Sequence, residues 1–136
     1  MSIQNVNFNW PVTVYYEDTD AGGVVYHANY LKFFERARTE MLRSWGVSQQ
    51  ILLEQEIGFV VTSMQIDFIK GATLDEQLTV VSHINEQKKA SLQFCQELVN
   101  AEQQILCRAT VKVACINNKK MRPIAIPLSI FSKELQ

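Results

Sequence analysis

One long amphipathic segment followed by four alternating ones sets the main constraint on this chain. Between Asn29 and Trp45, the residues Tyr30, Phe33, Phe34, Ala37, Met41 and Trp45 recur at helical spacing. Lys32, Glu35, Arg36, Glu40 and Arg43 fall on the other side. Asn29 is the expected N-cap and Gly46 the expected stop. A helix with so strong an apolar stripe needs a second layer to cover it. The segments Val60–Phe68, Leu78–Ile84, Leu92–Leu98 and Ile105–Cys115 supply that layer, because each alternates with period 2. Their separators, around Gly71, Lys88-Lys89 and Asn100–Gln103, are short enough for antiparallel connections.

Val12 to Tyr16 is β-branched and aromatic, starts after Pro11, and reads as a strand ahead of the helix. Ser48 to Glu56 reads as a short helical turn capped by Ser48 and ended near Gly58. Arg122-Pro123 opens a C-terminal tail, with a helix expected after Pro127. The order is β-α-β-β-β-β. It predicts an α+β fold with an antiparallel sheet, and the 136 residues predict one domain spanning 1–136.

Composition narrows the function classes. With 13 basic and 14 acidic residues the net charge is −1, which gives no footprint for nucleic acid. Cys95, Cys107 and Cys115 form no C-x-x-C pair and are odd in number, so a disulfide framework or thiolate zinc site is not expected. They read as packed small hydrophobes. No Lys or Arg precedes Lys32, and Ile57–Ile66, the longest apolar-rich stretch, is too short to span a bilayer. The expectation is a cytoplasmic protein with no transmembrane segment.

The chemistry concentrates in Tyr15-Tyr16-Glu17-Asp18-Thr19-Asp20-Ala21-Gly22-Gly23-Val24-Val25-Tyr26-His27-Ala28-Asn29-Tyr30. Three carboxylates, two glycines and a histidine stand between a strand and the start of the long helix. The glycines permit positive φ and close backbone approach. A helix N-terminus carries unpaired N–H groups and a positive dipole end, which can polarise a carbonyl. A carboxylate beside it can attack that carbonyl or activate water. Carboxylates ahead of a helix also serve as caps and dipole partners, and the residues alone leave both readings open. The spacing of Asp18, Asp20 and His27 matches no metal site, so no metal is expected.

That segment, continued through Phe33-Phe34-Glu35-Arg36-Ala37-Arg38-Thr39-Glu40, closely resembles the 4-hydroxybenzoyl-CoA thioesterase family. Within it the likeness is to the YbgC group of acyl-CoA thioesterases associated with the Tol-Pal system. Gly58-Phe59-Val60-Val61, Leu74-Asp75, Ala109–Cys115 and Lys120-Met121-Arg122-Pro123 share in the likeness, which covers nearly the whole chain. The resemblance implies a hotdog fold, a long helix wrapped by a curved antiparallel sheet. It also implies a homodimer or homotetramer with the active site at the dimer interface, and hydrolysis of short- to medium-chain acyl-CoA without a cofactor.

By the same resemblance, the catalytic carboxylate matches Asp20, acting as nucleophile or as general base. The backbone N–H that polarises the thioester carbonyl matches His27. Tyr16 joins the catalytic group, and Gly23, Val24 and Tyr26 line the substrate site. Lys88, Lys89 and Ser91, in a strand connection, are the expected contacts of the CoA phosphates; a solvated turn is the competing reading, since Lys89 and Ala90 depart from the Gly and Thr expected there. Glu17 and Asp18 revert to loop and capping roles. A second function class is a protein that holds acyl-CoA or acyl carrier protein without turnover, linked to envelope or phospholipid machinery and peripheral at the inner membrane. A third is the dehydratase branch of the same fold, against which the run from Asp20 to His27 argues.

Overall fold

The structure is a computed structural model that describes residues 6–127. Strand β1 (Phe8–Thr13) leads through a 3₁₀ turn (Tyr16–Asp18) to helix α1 (Asn29–Ser44) and short helix α2 (Gln49–Glu54). Strands β2 (Ile57–Phe68), β3 (Gln77–Gln87), β4 (Ser91–Val99) and β5 (Ile105–Asn117) follow, with a two-residue β6 (Arg122–Pro123). The sheet order is β1-β3-β4-β5-β2, with β6 beside β5, and every pairing is antiparallel. Register shifts at Val61/Ser63, Ile84/Glu86 and Leu98/Val99 mark bulges. Such bulges bend strands and raise their twist, which suits a sheet curling round one helix. This is the expected hotdog arrangement.

The period-2 pattern becomes the core directly. Leu78, Val80, Ser82 and Ile84 of β3, then Leu92, Phe94, Gln96 and Leu98 of β4, are buried. So are Cys107, Ala109, Val111, Val113 and Cys115 of β5. They meet Tyr30, Phe33, Phe34, Ala37 and Met41 of α1. At about 1.5–3 kcal/mol for each large apolar side chain buried, this layer is the main source of stability.

Two polar residues, Ser82 and Gln96, fall in phase with that core, and both are fully buried. Gln96 Nε2 donates to the Phe34 carbonyl and to Ser82 Oγ, each at 2.9 Å. Its Oε1 accepts from Arg38 Nη1 at 2.9 Å. One amide therefore ties the middle of α1 to β3 and β4 and fixes how far along the sheet the helix sits.

Several boundaries differ from the sequence expectation. The first strand ends at Thr13 rather than Tyr16, because the Tyr15 N–H donates to the Asp18 carboxylate and turns the chain out of the sheet. Pro11 lies inside that strand, which is tolerated because β1 is an edge and its outer side needs no donor. Asn29 is not the N-cap; Ala28 holds that position, and Asn29 is the first helical residue, its side chain spent on Asp18. Gly46 does end the turn after α1, at φ +85°, with the Val47 N–H reaching back to the Leu42 carbonyl. Ser48 caps α2 as expected, but that helix ends at Glu54, and Gly58 belongs to β2. The helix expected after Pro127 falls outside the described residues.

Gln96→Ala should remove both Nε2 bonds and orphan a buried guanidinium N–H. The expected cost is about 2–4 kcal/mol, read as a lower urea midpoint at unchanged slope. A loss below about 1 kcal/mol would contradict the anchoring role.

Candidate active site

The loop from Tyr15 to Ala28 joins the end of β1 to the start of α1, and Asp18 holds it together. Its side chain is 4% exposed. Oδ2 accepts from the Tyr15 N–H and Oδ1 from Asn29 Nδ2, both at 2.9 Å. Its carbonyl accepts from the Tyr26 N–H at 2.9 Å. A buried carboxylate is tolerated only when its oxygens are hydrogen-bonded, and here they span the turn and the first residue of the helix. Asp18 thus caps the 3₁₀ turn, as its expected loop-and-cap role has it, and also clamps that turn to the first residue of α1.

Asp20 lies two residues on and is exposed. Its N–H donates to the Val24 carbonyl, and its own carbonyl accepts from Gly23. The return is tight enough that Gly23 adopts φ +82°, a conformation glycine takes without strain. The Gly22 N–H donates to Asp20 Oδ1 at 2.8 Å and fixes the carboxylate's direction. Among the described residues, Oδ2 has no hydrogen-bond partner. One oxygen is oriented and the other is free to act.

The far side of the loop is stitched to the segment before β3. Val24 bridges Thr73, and the Val25 N–H donates to the Ala72 carbonyl at 2.9 Å. The Ala72 N–H donates to the Tyr30 hydroxyl at 3.1 Å. Burial pushes the Tyr30 phenol above its ordinary pKa; the Ala72 bond opposes this, while the charges of Cys107, Glu76 and Asp20 add to it. Tyr30 therefore stays protonated and structural, within electrostatic reach of Asp20.

His27 stands just before α1. The Asn29 N–H turns back to the Tyr26 carbonyl, whereas the His27 N–H meets no protein acceptor among the described residues. It is an orphan donor at the positive end of the helix, the position where a developing oxyanion gains most. The imidazole is occupied otherwise. It packs on Tyr26 with centroids 4.6 Å apart and meets Phe68 edge-on at 6.2 Å. Beside it Val25, Tyr30, Phe68, Ile69, Lys70 and Gly71 enclose a cavity of about 200 Å³.

The structure thus brings Asp20, Gly23, Val24, Tyr26 and His27 into one loop. Tyr16 sits on the 3₁₀ turn of the same loop with its side chain 83% exposed, and among the described residues its hydroxyl has no hydrogen bond. Phe68 was not among the sequence candidates. Its alternation with Met64 and Ile66 read as core, yet it is 51% exposed beside His27. Lys88, Lys89 and Ser91 are elsewhere. The Gln77 end of β3 pairs with Thr13 next to the loop, whereas the Gln87 end leads into the Lys88–Ser91 turn. Ten residues of strand separate these ends by roughly 33 Å within one chain. There Lys88 pairs with Glu86 at 3.1 Å, and the Lys89 carbonyl accepts from Ile126.

The cysteines do not compete as nucleophiles. Cys107 and Cys115 are fully buried, and burial pushes the Cys107 thiol up to about 12 and raises Cys115 as well. A thiol so placed is almost wholly protonated near neutrality.

Comparison with known proteins adds to this geometry. The family model described as the thioesterase-like superfamily matches residues 14–134. The acyl-CoA thioester hydrolase YbgC of Escherichia coli O157:H7 is 50% identical over 126 residues, 93% of this chain and 94% of that protein. The acyl-CoA thioesterase YbgC of Haemophilus influenzae is 52% identical over 124 residues, 90% of each. The crystal structure of a 1,4-dihydroxy-2-naphthoyl-CoA thioesterase from Synechocystis superposes with a TM-score of 0.89 at 25% identity, covering 96% of this chain and 97% of that one.

The two aspartates should separate by assay. Asp18→Ala leaves buried donors unpaired and should cost about 1.5–3 kcal/mol of stability. Asp20→Ala removes an exposed group and should stay within about 0.5 kcal/mol. Thermal melting of both variants measures this; equal destabilisation would contradict the clamp.

Proposed function

The chain belongs to the thioesterase-like superfamily, and we propose that it hydrolyses acyl-CoA thioesters with Asp20 and the His27 backbone N–H as its reacting pair. The enzyme is an acyl-CoA thioester hydrolase, releasing CoA and a free acid. The observation that supports the residue assignment is a carboxylate with one oriented and one free oxygen on the same loop as an orphan N–H at a helix start.

The chemistry follows from the thioester. Its carbonyl carbon is electrophilic and its thiolate a good leaving group. As oxygen adds to that carbon, charge collects on the carbonyl oxygen, where the His27 N–H and the α1 dipole stabilise it. One such donor contributes about 3 kcal/mol to barrier lowering. In the general-base form, Asp20 takes a proton from water as the water oxygen bonds to the carbon, and the C–S bond then breaks. In the nucleophilic form, Asp20 Oδ2 attacks, CoA thiolate leaves, and water cleaves the resulting anhydride. Both use the same free oxygen, and neither needs a cofactor. Tyr16, exposed on the same loop, closes over the substrate in this reading, and the aromatic wall of Tyr26, His27 and Phe68 faces the acyl group, which suits short to medium chains.

The CoA phosphates fall to Lys88, Lys89 and Ser91 of a second copy. Strand β2 is a 12-residue sheet edge with Val61 and Phe68 about half exposed. An unpaired edge of that length is a template for pairing. Antiparallel pairing of two β2 edges would set the Phe68 end of one protomer against the Ile57 end of its partner. On that side Val60, Ala114 and Ser91 lie in register across the sheet, so the partner's β3–β4 turn approaches the His27 end of the first protomer. The homodimer, its pairing into a tetramer and the single-domain extent over 1–136 belong to this proposal. So do acyl carrier protein as an alternative donor and a cytoplasmic site peripheral to the inner membrane, the last two resting on the Tol-Pal resemblance. Among the described residues, no helix is long and apolar enough to cross a membrane.

Asp20→Asn should lower kcat/KM for a medium-chain acyl-CoA by about 100-fold or more while preserving the melting temperature. Unchanged turnover would remove Asp20 from the mechanism, and tight ligand binding without turnover in the wild type would favour the non-hydrolytic reading. A mixing experiment addresses the shared site. Asp20→Asn and the double variant Lys88→Ala/Lys89→Ala should each be impaired, and co-refolding them should restore one intact site per mixed dimer. Activity no greater than the average of the parents would contradict a site built by two protomers.

A further inference from the structure

Tyr30 stands three residues beyond His27, in the first turn of α1, and is 4% exposed. Its ring is held by aromatic neighbours, edge-on to Phe33 with centroids 6.2 Å apart and tilted against Phe68 at 5.6 Å. A tyrosine packed so deeply buries a polar atom that phenylalanine would not, and a buried hydroxyl is tolerated when it is hydrogen-bonded. Here the phenol oxygen accepts from the Ala72 N–H at 3.1 Å. Burial raises the phenol above its ordinary pKa, so the oxygen accepts as a neutral group.

Ala72 is a junction. Its N–H goes to Tyr30, and its carbonyl accepts from the Val25 N–H at 2.9 Å. Next to it Thr73 bridges Val24, and the Val24 carbonyl accepts from the Asp20 N–H at 2.9 Å. The segment has little slack toward the loop, because a Cβ at Gly71 would come within 3.1 Å of Val24 Cγ1. It is braced on its other side as well. The Thr73 N–H and hydroxyl donate to Glu76 Oε1 at 2.9 and 2.8 Å, and the Glu76 carbonyl accepts from the Val14 N–H. A circuit therefore closes. It runs from His27 along the chain to Tyr30, across the phenol to Ala72, on to Val25 and Val24, and back to the backbone of Asp20. Asp18 ties the entrance of the loop to α1 through Asn29, and Tyr30 ties in its return.

We propose that Tyr30 is a positioning residue for thioester hydrolysis: by accepting the Ala72 N–H it sets where the Asp20 carboxylate stands relative to the His27 N–H. It does not itself touch the reacting atoms, and its role rests on the reading of Asp20 and His27 as the reacting pair. A misplacement of about 1 Å at a reacting group can cost about 100-fold in rate, so one hydrogen bond away from the chemistry is enough to be felt in turnover.

The test is a double-variant cycle on Asp20→Asn, Tyr30→Phe and the two combined, read in kcat and KM with a medium-chain acyl-CoA. Tyr30→Phe keeps the ring contacts and removes the oxygen. It should lower kcat about ten-fold with KM within about two-fold of wild type, because alignment is lost and binding contacts stay. An effect exerted through Asp20 vanishes once the carboxylate is gone, so the double variant should be at most about two-fold slower than Asp20→Asn alone. A group that merely supports the fold would slow both backgrounds alike. Tyr30→4-methoxyphenylalanine keeps the accepting oxygen and lacks the proton, and the cavity of about 200 Å³ that Tyr30 lines can take the added methyl. This conservative variant should rescue kcat to within about three-fold of wild type, and it serves even if Tyr30→Phe proves unfolded by thermal melting. Full turnover in Asp20→Asn would overturn the reacting pair, and the positioning of Asp20 with it. With Asp20→Asn impaired, the pair would stand and the role of Tyr30 would be overturned by three results. These are a folded Tyr30→Phe as fast as wild type or impaired only in KM, a double variant slowed by the full product of the two, and a folded methoxy variant about ten-fold or more slower than wild type.

Discussion

Burial of the α1 stripe against a single curved sheet is the constraint from which the remaining geometry follows. Phe33, Phe34, Ala37 and Met41 can leave water only if β3, β4 and β5 present a matching apolar face, and the alternation of those strands provides it. Packing of that kind is non-directional and would permit the helix to slide by a turn. The Gln96 amide restricts this, because it meets Phe34, Arg38 and Ser82 at once. With the axial position fixed, the start of α1 falls at the Gln77 end of β3, next to the chain leaving β1. The loop proposed as catalytic therefore lies where two packed elements converge.

Within that loop, two aspartates two residues apart do opposite work because their surroundings differ. Asp18 is buried and fully committed to backbone and side-chain donors, so it holds shape. Asp20 is exposed, with one oxygen held by Gly22 and the other without a hydrogen-bond partner among the described residues. The same division separates the two parts of His27. Its ring packs between Tyr26 and Phe68, while its N–H is left open by the turn into the helix. The loop that carries both is tied to the segment before β3 through Val24, Val25 and Ala72.

Much of the fold was legible in the residues. The period-2 pattern of Leu78–Ile84 and Leu92–Leu98 and the stripe of Asn29–Trp45 name the buried faces correctly, since periodicity reports burial directly. Polar Ser82 and Gln96 sat in phase with that core, and their burial followed from phase while their bonding did not. Boundaries were less legible. The end of β1 depends on the Asp18 carboxylate capturing the Tyr15 N–H, and the start of α1 on Asn29 turning toward Asp18; both are contacts between residues whose local propensities suggest a cap. The exposure of Phe68 could not be read from alternation, because the strand runs past the edge of the core there. The distance between Asp20 and Lys88 was likewise hidden, since it depends on which end of β3 faces the loop.

A structure of the enzyme with an acyl-CoA analogue in which a methylene group replaces the thioester sulfur, leaving a ketone, tests the central assignment most directly. The ketone oxygen is expected within about 2.7–3.1 Å of the His27 backbone nitrogen, with the Asp20 carboxylate over the open face of the carbonyl carbon. A carbonyl held away from the His27 N–H, or shielded from Asp20, would contradict the account.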